Sequence, residues 1–301
     1  MKDQIISELK KNRPTLADSS IKTYTSILFN LHKKVFGVDE EGSVKDFDHV
    51  QKVLAFLKDY PSNRRKTVLS ALVILTNEPQ YRTLMNEDVV DYNHEIAKQE
   101  CSDAQKDNWV TQDQIRQVFD TLGNHANLIF KKKSLKPFDL QQIQDYVLLA
   151  VASGIFIPPR RLTDWTLFKI RNVHKSDDNY LGGTSARPLM VMNTYKTSKT
   201  YGQQLLEIPK DLKNILSKWI KINPTDYLFF DTNMNPLNSV KLNQRFNKIF
   251  GGARISTNNF RHSYLTHKFG HTIQLDKDID ETMNEMGSSN AMLSTYVKKV
   301  H

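Results

Sequence analysis

Residues 154–165 read GIFIPPRRLTDW. Gly154 closes an apolar helical run from Leu140 to about Ser153, and two prolines then forbid its continuation. Arg160 and Arg161 follow, with Thr163-Asp164 directly after. Taken alone, tandem arginines behind two prolines read as a solvated helix start. Downstream, the stretch 189–208 changes character: LMVMNTY, then KTSKTYG, then QQLLEIP, two β-rich arms about a polar turn that holds Lys196 and Lys199. Helical spacing returns after Pro209 with Leu212, Ile215, Leu216, Trp219 and Ile220, and again over Val240–Phe250 and Phe260–Phe269. Gly182-Gly183 and Gly251-Gly252 read as turns. Upstream, Thr111 caps a helix through Ile115, Val118, Phe119 and Leu122.

The first hundred residues carry helical patterns without a competing strand. Asp18-Ser19-Ser20 supplies N-cap chemistry for Ile21, Tyr24, Leu28, Leu31 and Val35, and Gly37 ends that run. Val50, Val53, Leu54 and Leu57 form a second stripe, ended at Tyr60-Pro61. Val68, Leu69, Leu72, Val73 and Leu75 form a third, ended before Asn77-Glu78-Pro79. Between the halves, YNHEIAKQECSDAQKDNW (92–109) loses its apolar period. The expected architecture is mainly α with a small antiparallel β-sheet: a helical domain over 1–95, a linker over 96–109 and a second domain over 110–301.

The 301 residues are long enough for two cores, and 15 Phe with 11 Tyr exclude a disordered chain. One cysteine, Cys101, rules out a disulfide framework and a cysteine-built metal site, and it fits a reducing compartment, nucleus or cytoplasm. The start MKDQIISELK has no signal-peptide core, and no apolar run reaches a membrane span, so a soluble intracellular protein is expected. The net charge of +9 is unevenly placed. Residues 1–109 hold 16 Lys+Arg against 17 Asp+Glu; residues 110–301 hold 26 against 16. A basic half beside a neutral one suggests a polyanion partner.

Four separated segments then agree in order and type: GIFIPPRRLTDW, YKTSKTYG (195–202), NNFRHSYLTH (258–267) and MGSSNAMLSTYVKKV (286–300). Together they resemble the catalytic domain of the tyrosine recombinases, the integrase family. That family shows Arg-x-Ser/Thr-Glu/Asp on a helix, a lysine in a β-hairpin, His-x-x-Arg-His, Leu-Gly-His/Trp and a tyrosine nine residues on. The resemblance covers about 110–301, and the helical half in front looks like the family's core-binding domain. The PPRR and KTSKTYG wording is also similar to integrase-like proteins of large DNA viruses and mobile elements.

The resemblance implies a site-specific recombinase that cuts and rejoins double-stranded DNA, closing as a C-shaped clamp around the duplex. Two guanidiniums can hold the non-bridging oxygens of a phosphodiester by bidentate, charge-assisted bonds. By position these are Arg161 and Arg261, with Arg160 the alternate. Asp164 falls where the family keeps an acidic residue that orients its neighbours. Tyr296 would be the nucleophile, forming a 3′-phosphotyrosyl link that stores the bond energy, so no metal and no other cofactor is required. Lys199, or Lys196 as alternate, would protonate the leaving 5′-oxygen. Asn258 stands where the family has its first histidine, and Ser288 where it has histidine or tryptophan, with one residue fewer before Tyr296. His262 matches a family residue that packs inside. Loss of both imidazole positions leaves a second reading open, a recombinase-fold DNA-binding protein with impaired catalysis; a type IB topoisomerase-like enzyme, close in mechanism, is a further alternative.

Other features weigh less. His267 and His271 are spaced for zinc but lack a third ligand nearby. Lys131, Lys132 and Lys133 with Lys136 could meet DNA backbone, act as a nuclear-targeting cluster, or form a plain solvated loop. Asp103, Asp107 and Asp113 read as surface. Self-association as a dimer or tetramer on DNA is expected, although only Val297 to His301 follow Tyr296 here.

Overall fold

The computed structural model describes residues 1–37, 42–289 and 292–297, without the side chains of Ala104, Ser294 and Tyr296. Contacts divide the chain into two compact units, Met1–Cys101 and Ser102–His301.

The first unit is helical throughout: α1 Lys2–Asn12, α2 Asp18–Phe36, a 3-10 turn Val44–Asp48, α3 Val50–Leu57, α4 Ser62–Thr76 and α5 Pro79–Ala97. Ile5 and Leu9 of α1, Leu28 of α2, Phe47, Val53, Leu57, Leu69 and Leu72 fill its core. Each such side chain contributes about 1.5–3 kcal/mol on full burial. Two buried polar side chains there are well partnered, whereas the Thr25 hydroxyl of α2 has no hydrogen-bond partner among the described residues. The carboxylate of Asp88 on α5 is fully buried and takes both Arg65 Nη2 (2.7 Å) and Arg65 Nε (2.9 Å) from α4. Tyr81 Oη donates to the Phe47 carbonyl at 2.7 Å. Asp18 proves to be the first helical residue rather than the cap: Ala17 holds that place and supplies no side-chain bond.

The second unit is helical around a three-stranded antiparallel sheet: α6 Asp103–Asp107, α7 Gln112–Ile129, α8 Pro137–Ala152, a 3-10 turn Leu162–Trp165, β1 Tyr180–Gly183, β2 Pro188–Met192, α9 Ser198–Tyr201, β3 Gln204–Glu207, α10 Lys210–Ile222, α11 Ser239–Ile249, α12 Thr257–Phe269, α13 Thr272–Glu285 and α14 Leu293–Tyr296. The mainly α fold with a small antiparallel sheet is therefore what the sequence pattern describes. No helix among the described residues is long and apolar enough to cross a membrane.

In the sheet, Leu189 faces Glu207 and Met192 faces Gln204, which sets the β2–β3 register. Gly182 and Gly183 are not a turn, as their composition suggests, but strand residues opposite Leu189 and Pro188. A side chain at either glycine would crowd β2: a Cβ on Gly182 meets Val191 at 3.1 Å, and one on Gly183 runs into the Arg187 backbone. Trp219 on α10 stacks on Phe230 with centroids 5.8 Å apart and donates to the Leu228 carbonyl at 3.0 Å. Buried Gln144 of α8 accepts from the Phe230 N–H (2.6 Å) and donates to its carbonyl (2.9 Å), satisfying a loop that the core would otherwise leave unpaired.

Candidate active site

The path from α8 to α12 explains why residues far apart in sequence meet. α8 is apolar on all sides and buried from Val147 to Ala152. It ends at Gly154 with φ +98, where a Cβ would lie 2.8 Å from the Tyr264 ring of α12. Only glycine permits that approach together with that turn. The chain then runs through Pro158 and Pro159 into the 3-10 turn, alongside the helix that carries Arg261. α12 itself opens on a capping box: the Ser256 N–H donates to Asn259 Oδ1 at 2.9 Å. Thr257, Phe260 and Ser263 form its buried face, and Phe260 meets Phe246 edge-on at 5.0 Å.

A cleft of about 280 Å³ results, lined by Arg160, Arg161, Asp164, Tyr201, Leu206 and Arg261 among others. The three arginines differ in what they do. Arg160 is engaged on three sides: Nε donates to Asp164 Oδ2 (2.9 Å), Nη1 donates to Gln204 Oε1 (2.8 Å), and the guanidinium lies 5.0 Å from the Tyr195 ring centre. It ties the 3-10 turn to the start of β3. Asp164 is buried, and burial pushes its carboxyl above the usual carboxylate value against the pull of Arg160 and Arg161. Arg161 and Arg261 are half-buried and make no side-chain hydrogen bond or ion pair among the described residues. Three arginines and one carboxylate, Asp164, line the cleft, and that carboxylate bonds to Arg160, so the lining keeps an excess of positive charge suited to an anion.

The segment between β2 and β3 is longer than a simple polar turn and contains the helical turn α9. Tyr195 Oη donates to the Gly202 carbonyl at 2.8 Å, and Gln203 Nε2 donates to Asn193 Oδ1 at 2.7 Å, so the loop is closed across its base. Buried Asn179 fixes where it begins: Oδ1 accepts from the Asn193 and Thr194 N–H groups (2.9 and 2.8 Å), and Nδ2 donates to the carbonyls of Thr194 (2.8 Å) and Asp164 (3.1 Å). Lys196 and Lys199 project from this loop into solvent and do not line the cleft. Tyr201, at the end of α9, does.

The remaining sequence-predicted residues fall as follows. Asn258 is exposed in the first turn of α12 and Ser288 is half-buried just beyond α13. Gly287, at φ +67, ends α13 in a Schellman arrangement, with Gly287 N–H to the Asn284 carbonyl and Ser288 N–H to the Met283 carbonyl. His262, expected to pack inside, is exposed instead, because Thr257, Phe260 and Ser263 take the inner face of α12. The Thr163-Asp164 motif sits on a 3-10 turn and not on an α-helix. Tyr296 closes the helical turn α14, and its side chain lies outside the described residues, as do 290–291 and 298–301 of the fourth motif segment. Lys131 and Lys133 are exposed, whereas Lys132 Nζ is held by Asp139 Oδ1 at 2.6 Å. Lys132 and the Lys136 N–H together hold the Asp139 carboxyl below the usual range. Sequence reasoning missed Asn179, Tyr195, Tyr201 and Gln204. The two tyrosines bracket the lysines in YKTSKTYG, the only signal that could have found them.

No protein-family model matches the sequence, and no curated protein matches it. Solved structures do. The chain is similar to DNA integrases and recombinases. The crystal structure of lambda integrase residues 75–356 bound to DNA superposes with a TM-score of 0.46 at 13% identity, covering 89% of this chain and 87% of that one. A lambda integrase(75–356) dimer bound to a COC′ core site gives 0.45 at 12%, with 98% and 96% covered. The site-specific recombinase XerH bound to its difH substrate gives 0.41 at 12%, with 89% and 84% covered. No group of three His, Cys, Asp or Glu among the described residues could hold a metal ion.

Proposed function

We propose that this chain is a site-specific DNA recombinase that cleaves and rejoins strands through a 3′-phosphotyrosyl intermediate. One observation carries the reading. Arg161 and Arg261 stand 100 positions apart in sequence, make no side-chain hydrogen bond or ion pair among the described residues, and line the same cleft. Two planar guanidiniums converging there suit the charge that builds on the non-bridging oxygens when phosphorus is attacked. In the reaction, Tyr296 Oη attacks phosphorus and its proton passes to solvent or a neighbouring base. The P–O5′ bond breaks, and the departing 5′-oxygen takes a proton from Lys199, with Lys196 the alternate. Attack by a 5′-hydroxyl on the phosphotyrosine reverses the step and reseals a strand. Asp164 acts through Arg160, fixing the turn that carries Arg161.

The wider assignments belong to the same proposal: residues 1–95 as a core-binding domain, 96–109 as a linker, 110–301 as the catalytic domain, duplex DNA as partner, and assembly as a dimer or tetramer on it. Asn258 and Ser288 in place of histidines favour a second reading, a DNA-binding protein of the same fold with impaired catalysis, because neither side chain can carry a proton near pH 7.

The test is a suicide duplex nicked just 3′ of the scissile phosphate. A covalent protein–DNA adduct that disappears in Tyr296→Phe is the expected result. DNA binding without any adduct would replace the enzyme reading by the second one. Relaxation of supercoils without sequence preference would point to topoisomerase-like chemistry instead.

A further inference from the structure

The cleft is lined by more than the groups that would hold a phosphate. Arg161 and Arg261 are cationic. Tyr201, Leu206 and Pro158 add apolar surface to the same lining. Tyr201 is 66% exposed, so the ring is free to meet a ligand in the cleft that it lines. Its hydroxyl makes no hydrogen bond among the described residues, in contrast to Tyr195, whose hydroxyl closes the loop. The backbone that carries the ring is held: the Tyr201 N–H donates to the Thr197 carbonyl at 3.1 Å, and Gly202 follows at φ +64. The Tyr195–Gly202 bond then locks the turn on which it sits.

We infer that Tyr201 is a stacking platform for the nucleobase of the nucleotide whose phosphate lies between Arg161 and Arg261, taken in an unstacked state. The inference rests on the proposed phosphodiester site and adds a second contact to it. An aromatic face recognises any base, so the contact is tolerant of sequence. It needs a base that has left the helical stack, and unpairing is least costly where the nucleotide already lacks a partner. The platform therefore favours DNA with one unpaired nucleotide over fully paired DNA.

The experiment uses the full chain and two fluorescent 30-base-pair duplexes, one fully paired and one with a single bulged nucleotide. Wild type is expected to bind the bulged duplex more tightly, by about 5- to 150-fold, the range that one base–aromatic stack supplies. Tyr201→Ala abolishes the preference and Tyr201→Phe keeps it, because the ring and not the hydroxyl makes the contact. Removing the base from the bulged nucleotide abolishes the preference in wild type too. Retention of the preference in Tyr201→Ala, or its absence in wild type, overturns the inference. The phosphate site is judged separately: Arg161→Ala and Arg261→Ala should weaken binding to both duplexes alike, and unchanged binding in both variants would overturn the site and the platform together.

Discussion

Arg160 and Arg161 are neighbours in sequence with opposite roles in the protein. Arg160 neutralises buried Asp164, so Arg160→Met leaves a carboxylate with 3% side-chain exposure unpaired. Breaking such a pair costs about 3–5 kcal/mol. Arg161→Met removes a side chain that makes no hydrogen bond or ion pair among the described residues and should change stability by less than about 0.5 kcal/mol, while, on the proposed function, weakening DNA binding. The penalty in Arg160→Met also depends on pH in a definite direction. The Asp164 carboxyl already sits above the usual value, and loss of Arg160 raises it further. The folded state then binds that proton more readily than the unfolded state does. The penalty is full above the raised value and disappears as pH falls to about 4, the ordinary carboxylate range. Thermal melts of wild type and Arg160→Met should therefore converge between pH 7 and pH 4. The tandem arginine is visible in the sequence; which member is consumed by an ion pair is not. That choice is made by Gln204 and Tyr195, some 40 residues downstream in another element.

Among the helices, those that bury a one-sided stripe are legible from spacing alone. α7, α10 and α11 follow the periods of Ile115, Leu212 and Leu242 to within a few residues, and α8 shows as a continuous apolar run from Tyr146 to Ala152. α5 and α13 are not legible, for a physical reason: α5 buries only Tyr81 and Asp88, and α13 only Met283, so neither carries a period. β1 is hidden likewise by its two glycines, which lack the side chains that a strand pattern is read from. The site is legible to the same extent. Its arginines announce themselves by type, whereas the approach of α8 to α12 depends on one glycine. Gly154→Ala places a Cβ 2.8 Å from the Tyr264 ring at φ +98, while Gly251→Ala has nothing within 4 Å at φ +67. The second change should cost about 1–2 kcal/mol in chain strain alone. The first should cost more and also weaken DNA binding, because it displaces the helix that bears Arg261. Urea midpoints for the two variants, together with their affinities for duplex DNA, measure the difference.

At the scale of the molecule, the excess of positive charge lies in residues 110–301. On the proposed function, most phosphate contacts come from that half, and affinity should fall steeply with salt, log K decreasing by about 0.9 per neutralised phosphate for each unit of log salt. Lys131 and Lys133 are exposed, so Lys131→Gln or Lys133→Gln should each lower the slope by about 1 if that lysine meets the DNA backbone, with the melting temperature unchanged. Lys132→Gln should instead lower the melting temperature, since Lys132 holds Asp139 at the start of α8. Salt titrations of the three variants separate a contact with DNA from a contact within the fold. The sequence shows all three lysines as one cluster, because the acid that claims the middle one lies seven positions away.

The bond from the Tyr195 hydroxyl to the Gly202 carbonyl bears on the thermodynamics of encounter. Closing a loop of this kind removes chain entropy, and here it is removed while the protein is still alone. On the proposed function, Lys196, Lys199 and Tyr201 thus have fewer conformations left to lose when DNA arrives. The loop behaves as a preorganised tool rather than as a segment that folds onto its target, and association should carry a correspondingly small entropic penalty for ordering it.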